Sequence, residues 1–221
     1  MKACMRDRLL ILSVFVVASC GLAYELIAGA LASYLLGDSV LQFSSIIGCY
    51  LFAMGVGSHL SQYVKEERVL DTFVEIELLV ALLGGLSASA LFAVFAWSGE
   101  SFRLTLYALV FLTGAMVGME IPLVMRLLRQ RQQRFAELVS RVLTFDYLGA
   151  LAVSLLFPIV LAPRLGLARS ALLFGLSNVA VALWTCRVFR AELLRPTVQY
   201  LRSLLVLLVL GGGFIAADEL T

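Results

Sequence analysis

Of the acidic side chains inside long apolar stretches of this 221-residue chain, four invite chemistry by their type and placement: Glu25, Glu77, Glu120 and Asp146. A carboxylate in hydrocarbon costs on the order of 2.5–3.5 kcal/mol on insertion scales, so each should face protein or water rather than lipid. Glu25 lies about 24 Å along a helix from residue 9, toward the far end of the first apolar stretch. Glu77, Glu120 and Asp146 come to similar depth near the opposite side, and Asn178 is a neutral polar group able to join them. Carboxylates spaced along a helical bundle suit a ligand with positive charge, such as a polyamine or another cation, or a proton relay. The bland alternative ties each acid locally: Glu120 to Arg126, Asp146 to Arg141, Glu75 or Glu77 to a helix N-terminus, where the dipole favours negative charge.

The elements that must position these acids are helices of membrane type. Hydrophobic residues make up 62% of the chain, charged residues only 14%, and mean hydropathy is +0.99. A chain of this size cannot hide that much apolar surface in a water-soluble fold. Apolar runs of about 20 residues indicate helices rather than short alternating strands. We expect an all-α, polytopic membrane protein of about seven spans in a single domain covering 1–221, with spans near 9–36, 41–63, 72–97, 104–125, 142–161, 168–189 and 201–217. Turn chemistry marks the breaks at 37–39, 98–101 and 162–166, and Pro158 should kink the fifth span or free a carbonyl there. Gly21 and Gly29 share the face of Glu25, and Gly114 and Gly118 form a small-xxx-small pair, so these glycines should let helices approach closely.

Charge sets the orientation. Of the 17 Lys and Arg, only Arg103, Arg164 and Arg169 fall at one set of helix ends. The others cluster at the N-terminus, around 65–68, in a basic connection from Arg126 to Arg141, and from Arg187 to Arg202. By the positive-inside rule the N-terminus is cytoplasmic, and seven spans put the C-terminus outside. The basic connection reads as a topology determinant resting on anionic lipid.

Other chemistries are not signalled. There is no Gly-rich nucleotide loop, because Gly211–Gly213 is embedded in a span. His59 has no acid partner in sequence, and no nucleophile–base pair stands out. Cys4, Cys20, Cys49 and Cys186 lack paired spacing and read as packing residues, so no metal site is expected. Residues 17–20 resemble a lipoprotein cleavage box, yet the apolar run continues well past Cys20, as in a spanning helix. No nucleic-acid partner is expected.

Several short motifs then fall in a familiar order: Gly21-Leu22-Ala23-Tyr24-Glu25-Leu26-Ile27-Ala28-Gly29, residues 47–58 (Ile-Gly-Cys-Tyr-Leu-Phe-Ala-Met-Gly-Val-Gly-Ser), Gly118-Met119-Glu120-Ile121-Pro122-Leu123, Thr144-Phe145-Asp146-Tyr147-Leu148-Gly149-Ala150, Phe157-Pro158 with Pro163-Arg164-Leu165-Gly166, and Gly175-Leu176-Ser177-Asn178. Together they resemble the membrane domain of bacterial membrane-bound spermidine synthases (polyamine aminopropyltransferases). The resemblance implies an inner-membrane location and a soluble, Rossmann-like domain after the membrane part. That domain would transfer an aminopropyl group from decarboxylated S-adenosylmethionine to putrescine. None of its cofactor- or amine-binding motifs stands in these 221 residues, so no catalytic residue and no cofactor is assigned here.

The expected function is therefore an integral membrane module of a spermidine-synthase-like protein. It would anchor the enzyme and bind or pass a polyamine or related cation through an acidic seam of Glu25, Glu77, Glu120, Asp146 and Asn178. The alternatives are a structural anchor or oligomerisation module and a stand-alone small-cation or proton-coupled transporter. Expected partners are the bilayer, a polyamine ligand, and a soluble synthase domain or a second copy. A cytoplasmic synthase domain after the last span requires an even span count, in tension with seven.

Overall fold

The computed structural model describes residues 2–129 and 135–219; Arg131 and Arg134 of the basic connection lie outside them. Among the described residues the structure is helical throughout, with no strand. Its long helices are α1 (Lys2–Leu36), α2 (Ser39–Leu60), α3 (Val69–Trp97), α4 (Gly99–Arg129), α5 (Phe135–Leu156), α6 (Ala162–Val188) and α7 (Pro196–Glu219). α1 is the central element and packs against α2, α3, α4, α5 and α6. Its serine hydroxyls are satisfied within the helix: Ser13 donates to the Leu9 carbonyl at 3.0 Å and Ser33 to the Gly29 carbonyl at 2.8 Å. That local bonding lets polar groups sit in an apolar bundle.

The turns follow the expected chemistry at the first break. Gly37 takes φ 72°, its amide closes onto the Ser33 carbonyl at 3.1 Å, and Asp38 caps α2 by accepting from the Leu41 amide at 3.2 Å. Two short 3₁₀ turns, Ser61–Tyr63 and Glu66–Arg68, join α2 to α3. Arg126 braces them from α4, donating to the Ser61 carbonyl at 2.9 Å, the Val64 carbonyl at 2.7 Å and the Glu66 carboxylate at 2.6 Å.

The expected break at 162–166 is a different object. Pro158 opens a π-helical segment, Phe157–Leu161, and α6 continues directly from it until Gly166, which alone leaves helical geometry at φ 72°, ψ 176°. A proline that removes one helical donor is readily absorbed as a wider π turn, so the chain does not stop there. It doubles back nonetheless. The Gly149 carbonyl accepts from Ser19 of α1, while Trp184 donates to Ser13 on the same helix. A straight helix would hold Gly149 and Trp184 about 50 Å apart.

Six stretches among the described residues are long and apolar enough to cross a membrane, and Phe135–Val188 counts as one of 54 residues. The expected seven are therefore six continuous stretches, because no coil separates the fifth from the sixth. The core is apolar with a few acids and amides set into it, and the exterior is apolar too, unlike that of a soluble domain. Large apolar side chains such as Phe52, Leu104, Leu205 and Leu208 point outward, while Glu77, Glu120 and Asn178 are interior. Hydrocarbon outside and backbone satisfied within helices is the arrangement a bilayer tolerates.

Candidate functional site

The polar centre of the bundle is built by stripes of residues at helical spacing. On α4 the inward stripe is Leu106, Val110, Thr113, Val117, Glu120, Val124 and Leu128. Steps of three and four residues keep these side chains on one face, which carries Glu120 inward. Gly114 and Gly118 lie on the adjoining face and receive α2: a Cβ on Gly118 would strike the Met54 backbone, and one on Gly57 the Ala115 carbonyl. Glu77 is presented by α3, which is buried on most of its circumference, and Asn178 by α6. Their exposures are 0% for Glu77, 1% for Glu120 and 0% for Asn178.

Glu77 and Glu120 lie within electrostatic range of one another, and Asp146 reaches Glu120 more weakly. Among the described residues, neither carboxylate oxygen of Glu77 or of Glu120 has a hydrogen-bond partner, and the Asn178 Oδ1 also lacks one. The Asn178 amide donates to the Tyr24 hydroxyl at 3.2 Å, and Tyr24 in turn lies within the fields of Glu120 and Glu77. Tyr50, from α2, donates to the Gly21 carbonyl at 2.8 Å and senses both Glu120 and Glu25. A cavity of about 20 Å³ adjoins Tyr24, Tyr50 and Thr113. That is room for about one water molecule.

Two bare carboxylates so placed would be costly, because transfer of an ion into a low-dielectric interior costs several kcal/mol even after relaxation. A positive charge or a proton on the pair offsets that cost. The structure thus brings together Glu77, Glu120 and, through Tyr24, Asn178. Asp146 is half-buried at the edge of this group. Glu25 is half-buried on a separate flank of α1, where Gly21 faces Val117 and Tyr50 and Gly29 faces Phe43.

The local ties offered as the bland alternative are not formed. Arg126 is committed to Glu66 and two carbonyls, and Arg141 lies 3.6 Å from Glu137 rather than on Asp146. Glu75, unlike Glu77, has partners, but distant ones on α7: it accepts from Gln199 at 3.1 Å and Arg202 at 3.2 Å. His59 contacts Gln62 and Tyr63 at the surface. Sequence reasoning missed Tyr24 and Tyr50 as companions of the acids. The signal was present for Tyr24: one step from Glu25 turns about 100° around the helix, onto the buried stripe of Val17, Cys20, Ile27 and Leu31.

This is a helical bundle with an apolar exterior and a buried acid pair, and known proteins share its sequence. A polyamine aminopropyltransferase 2 from Ralstonia nicotianae is 66% identical over 220 residues, covering 97% of this chain and 43% of the relative. A polyamine aminopropyltransferase from Leptospira interrogans is 48% identical over 212 residues, covering 96% of this chain and 42% of the relative. One from Aquifex aeolicus is 34% identical over 181 residues, covering 82% of this chain and 36% of the relative. The chain spans about 43% of the length of the first of these relatives. No family model and no solved structure matches it. These relatives correct the functional expectation. Proteins matching nearly the whole chain are named as transferases, which argues for an enzyme in place of an anchoring or cation-passing module, a structural oligomerisation module or a stand-alone transporter.

Proposed function

We propose that this chain is the membrane-spanning part of a polyamine aminopropyltransferase, an enzyme that transfers an aminopropyl group in polyamine synthesis. The observation that carries the reading is the 66% identity over 97% of the chain to a protein of that name. The resemblance noted from the motifs adds the substrates: decarboxylated S-adenosylmethionine as donor and putrescine as acceptor. No catalytic residue or cofactor is assigned within the 221 residues, and the transfer step belongs to the whole enzyme.

We place the chain in a bacterial inner membrane as one domain, with the N-terminus cytoplasmic, as the Lys and Arg distribution favours. The doubling back at Gly166 supports two crossings between 135 and 188, and hence an outside C-terminus. A cytoplasmic signal from a reporter fused after Ala217 overturns that topology. Glu77, Glu120 and Asn178, with Glu25 and Asp146 at the margins, are the residues to which we assign a functional role, that of contacting a positively charged group.

The test of the function is direct. Membranes holding the full-length protein are given isotopically labelled decarboxylated S-adenosylmethionine and putrescine, and the amines are separated by mass spectrometry. Labelled spermidine, absent from membranes without the protein, is the expected result. Absence of an aminopropylated product from putrescine and from a panel of related amines, beside a working soluble synthase, overturns the proposal.

A further inference from the structure

We propose that the groove between the end of α6 and the start of α7 binds an anionic phospholipid. The groove has a volume of about 560 Å³ and is lined by Arg187 in the last turn of α6, Arg190 in the turn just after it, and Thr197, Tyr200, Leu201 and Leu204 on α7. Its size falls within the range of ligand pockets, roughly 300–1,000 Å³. No acid lines it. Arg187 and Arg190 form no ion pair among the described residues, and the neighbouring acids are engaged elsewhere: Glu192 with Arg6 at 2.9 Å, Glu75 with Arg202 at 3.2 Å, and Asp71 with the Leu194 amide at 3.1 Å.

The order of chemistry along the groove is that of a phospholipid. The arginines stand at the helix end, where the apolar stretch gives out. The hydroxyls of Thr197 and Tyr200 come next, at the level of ester and glycerol oxygens. Leu201 and Leu204 follow and run into the exposed apolar face of Leu205 and Leu208. Thr197 to Leu204 is about 10 Å of helix rise, enough to pass from headgroup to acyl chain. The opposite face of α7, with Gln199, Ser203, Val206 and Leu210, is buried against the bundle, so the groove opens outward. Guanidinium groups match phosphate geometry and charge, and a soluble anion gains only that end of the groove. A phospholipid gains both ends. This inference is independent of aminopropyl transfer and rests only on the helices lying in a bilayer.

The full-length protein in mild detergent is mixed with phosphatidylglycerol or with phosphatidylcholine of identical chains, and bound lipid is counted by native mass spectrometry. A basic residue near an anionic membrane surface is worth about one tenfold step or slightly less, so two predict a phosphatidylglycerol preference of about 30-fold. R187Q/R190Q should lose that preference, and R103Q/R164Q, at other exposed arginines, should keep it. Equal binding of both lipids, a preference that survives R187Q/R190Q, or displacement by inorganic phosphate alone overturns the proposal. Should R187Q/R190Q fail to fold, a photoreactive phosphatidylglycerol on the unaltered protein decides: crosslinks within 186–204 support the site, and crosslinks confined elsewhere refute it.

Discussion

The glycine-lined contact between α2 and α4 makes a signed prediction. α2 and α4 meet across glycines: a methyl group on Gly118 would collide with the Met54 carbonyl and Cα, and one on Gly57 with the Ala115 carbonyl. Both obstacles are backbone, which cannot swing aside as a side chain can. In Gly118→Ala the helices must therefore part by about 1 Å, and a gap of that size forfeits a quarter to a half of the dispersion energy of each contact it opens. Overpacking of this kind costs about 1–3 kcal/mol, and we expect the upper end for Gly118→Ala and Gly57→Ala. Gly114→Ala should cost about 1 kcal/mol, because its methyl would lie 3.0 Å from the Ala53 Cβ and the Tyr50 carbonyl. Gly48 and Gly55 occupy the same helix as Gly57, with nothing within 4 Å of an added methyl. Alanine there should stabilise by about 0.5–1 kcal/mol, through helix propensity alone. The double variant Gly57→Ala/Gly118→Ala should cost less than the sum of its parts, since one separation relieves both collisions. Reversible unfolding of the purified variants, titrated with denaturing detergent in one lipid background, gives the comparison. Gly118→Ala as stable as Gly55→Ala would refute the reasoning.

Three further outcomes follow from single contacts. Arg126→Ala should cost about 1–2 kcal/mol, and Arg126→Lys should recover little of it, because one ammonium cannot serve two carbonyls and a carboxylate at once; faster amide exchange confined to residues 61–68 is the check. Tyr24→Phe strips the buried Asn178 amide of its acceptor and should cost about 1–3 kcal/mol, measured by thermal unfolding, whereas Tyr24→Phe/Asn178→Leu should recover part of the loss. Glu120→Gln should leave stability within about 1 kcal/mol of the parent or raise it, since it removes a buried carboxylate without a partner; a large fall in the unfolding midpoint would reveal a counter-charge on Glu120.

Composition and periodicity make the helices of this chain legible. Apolar runs of about 20 residues with embedded acids read as long helices, and those helices, the turn at Gly37 and the need to bury each acid against protein all follow from local sequence. The small-residue pair Gly114 and Gly118 was legible for the same reason, as a face that only another backbone can fill. What the tertiary structure alone decided is which polar groups meet. Glu75 and Glu77 stand two residues apart, so they point to different sides of α3. One reaches Arg202 and Gln199, and the other turns inward to Glu120. Arg126 lies near enough in sequence to serve Glu120 yet folds over the 3₁₀ turns, because two carbonyls and Glu66 are presented there at hydrogen-bonding distance. Helical spacing fixes the direction of a side chain around its own axis. It is silent on which neighbour waits on that side, and the acid pair exists because α3 and α4 pack on one another beside α1.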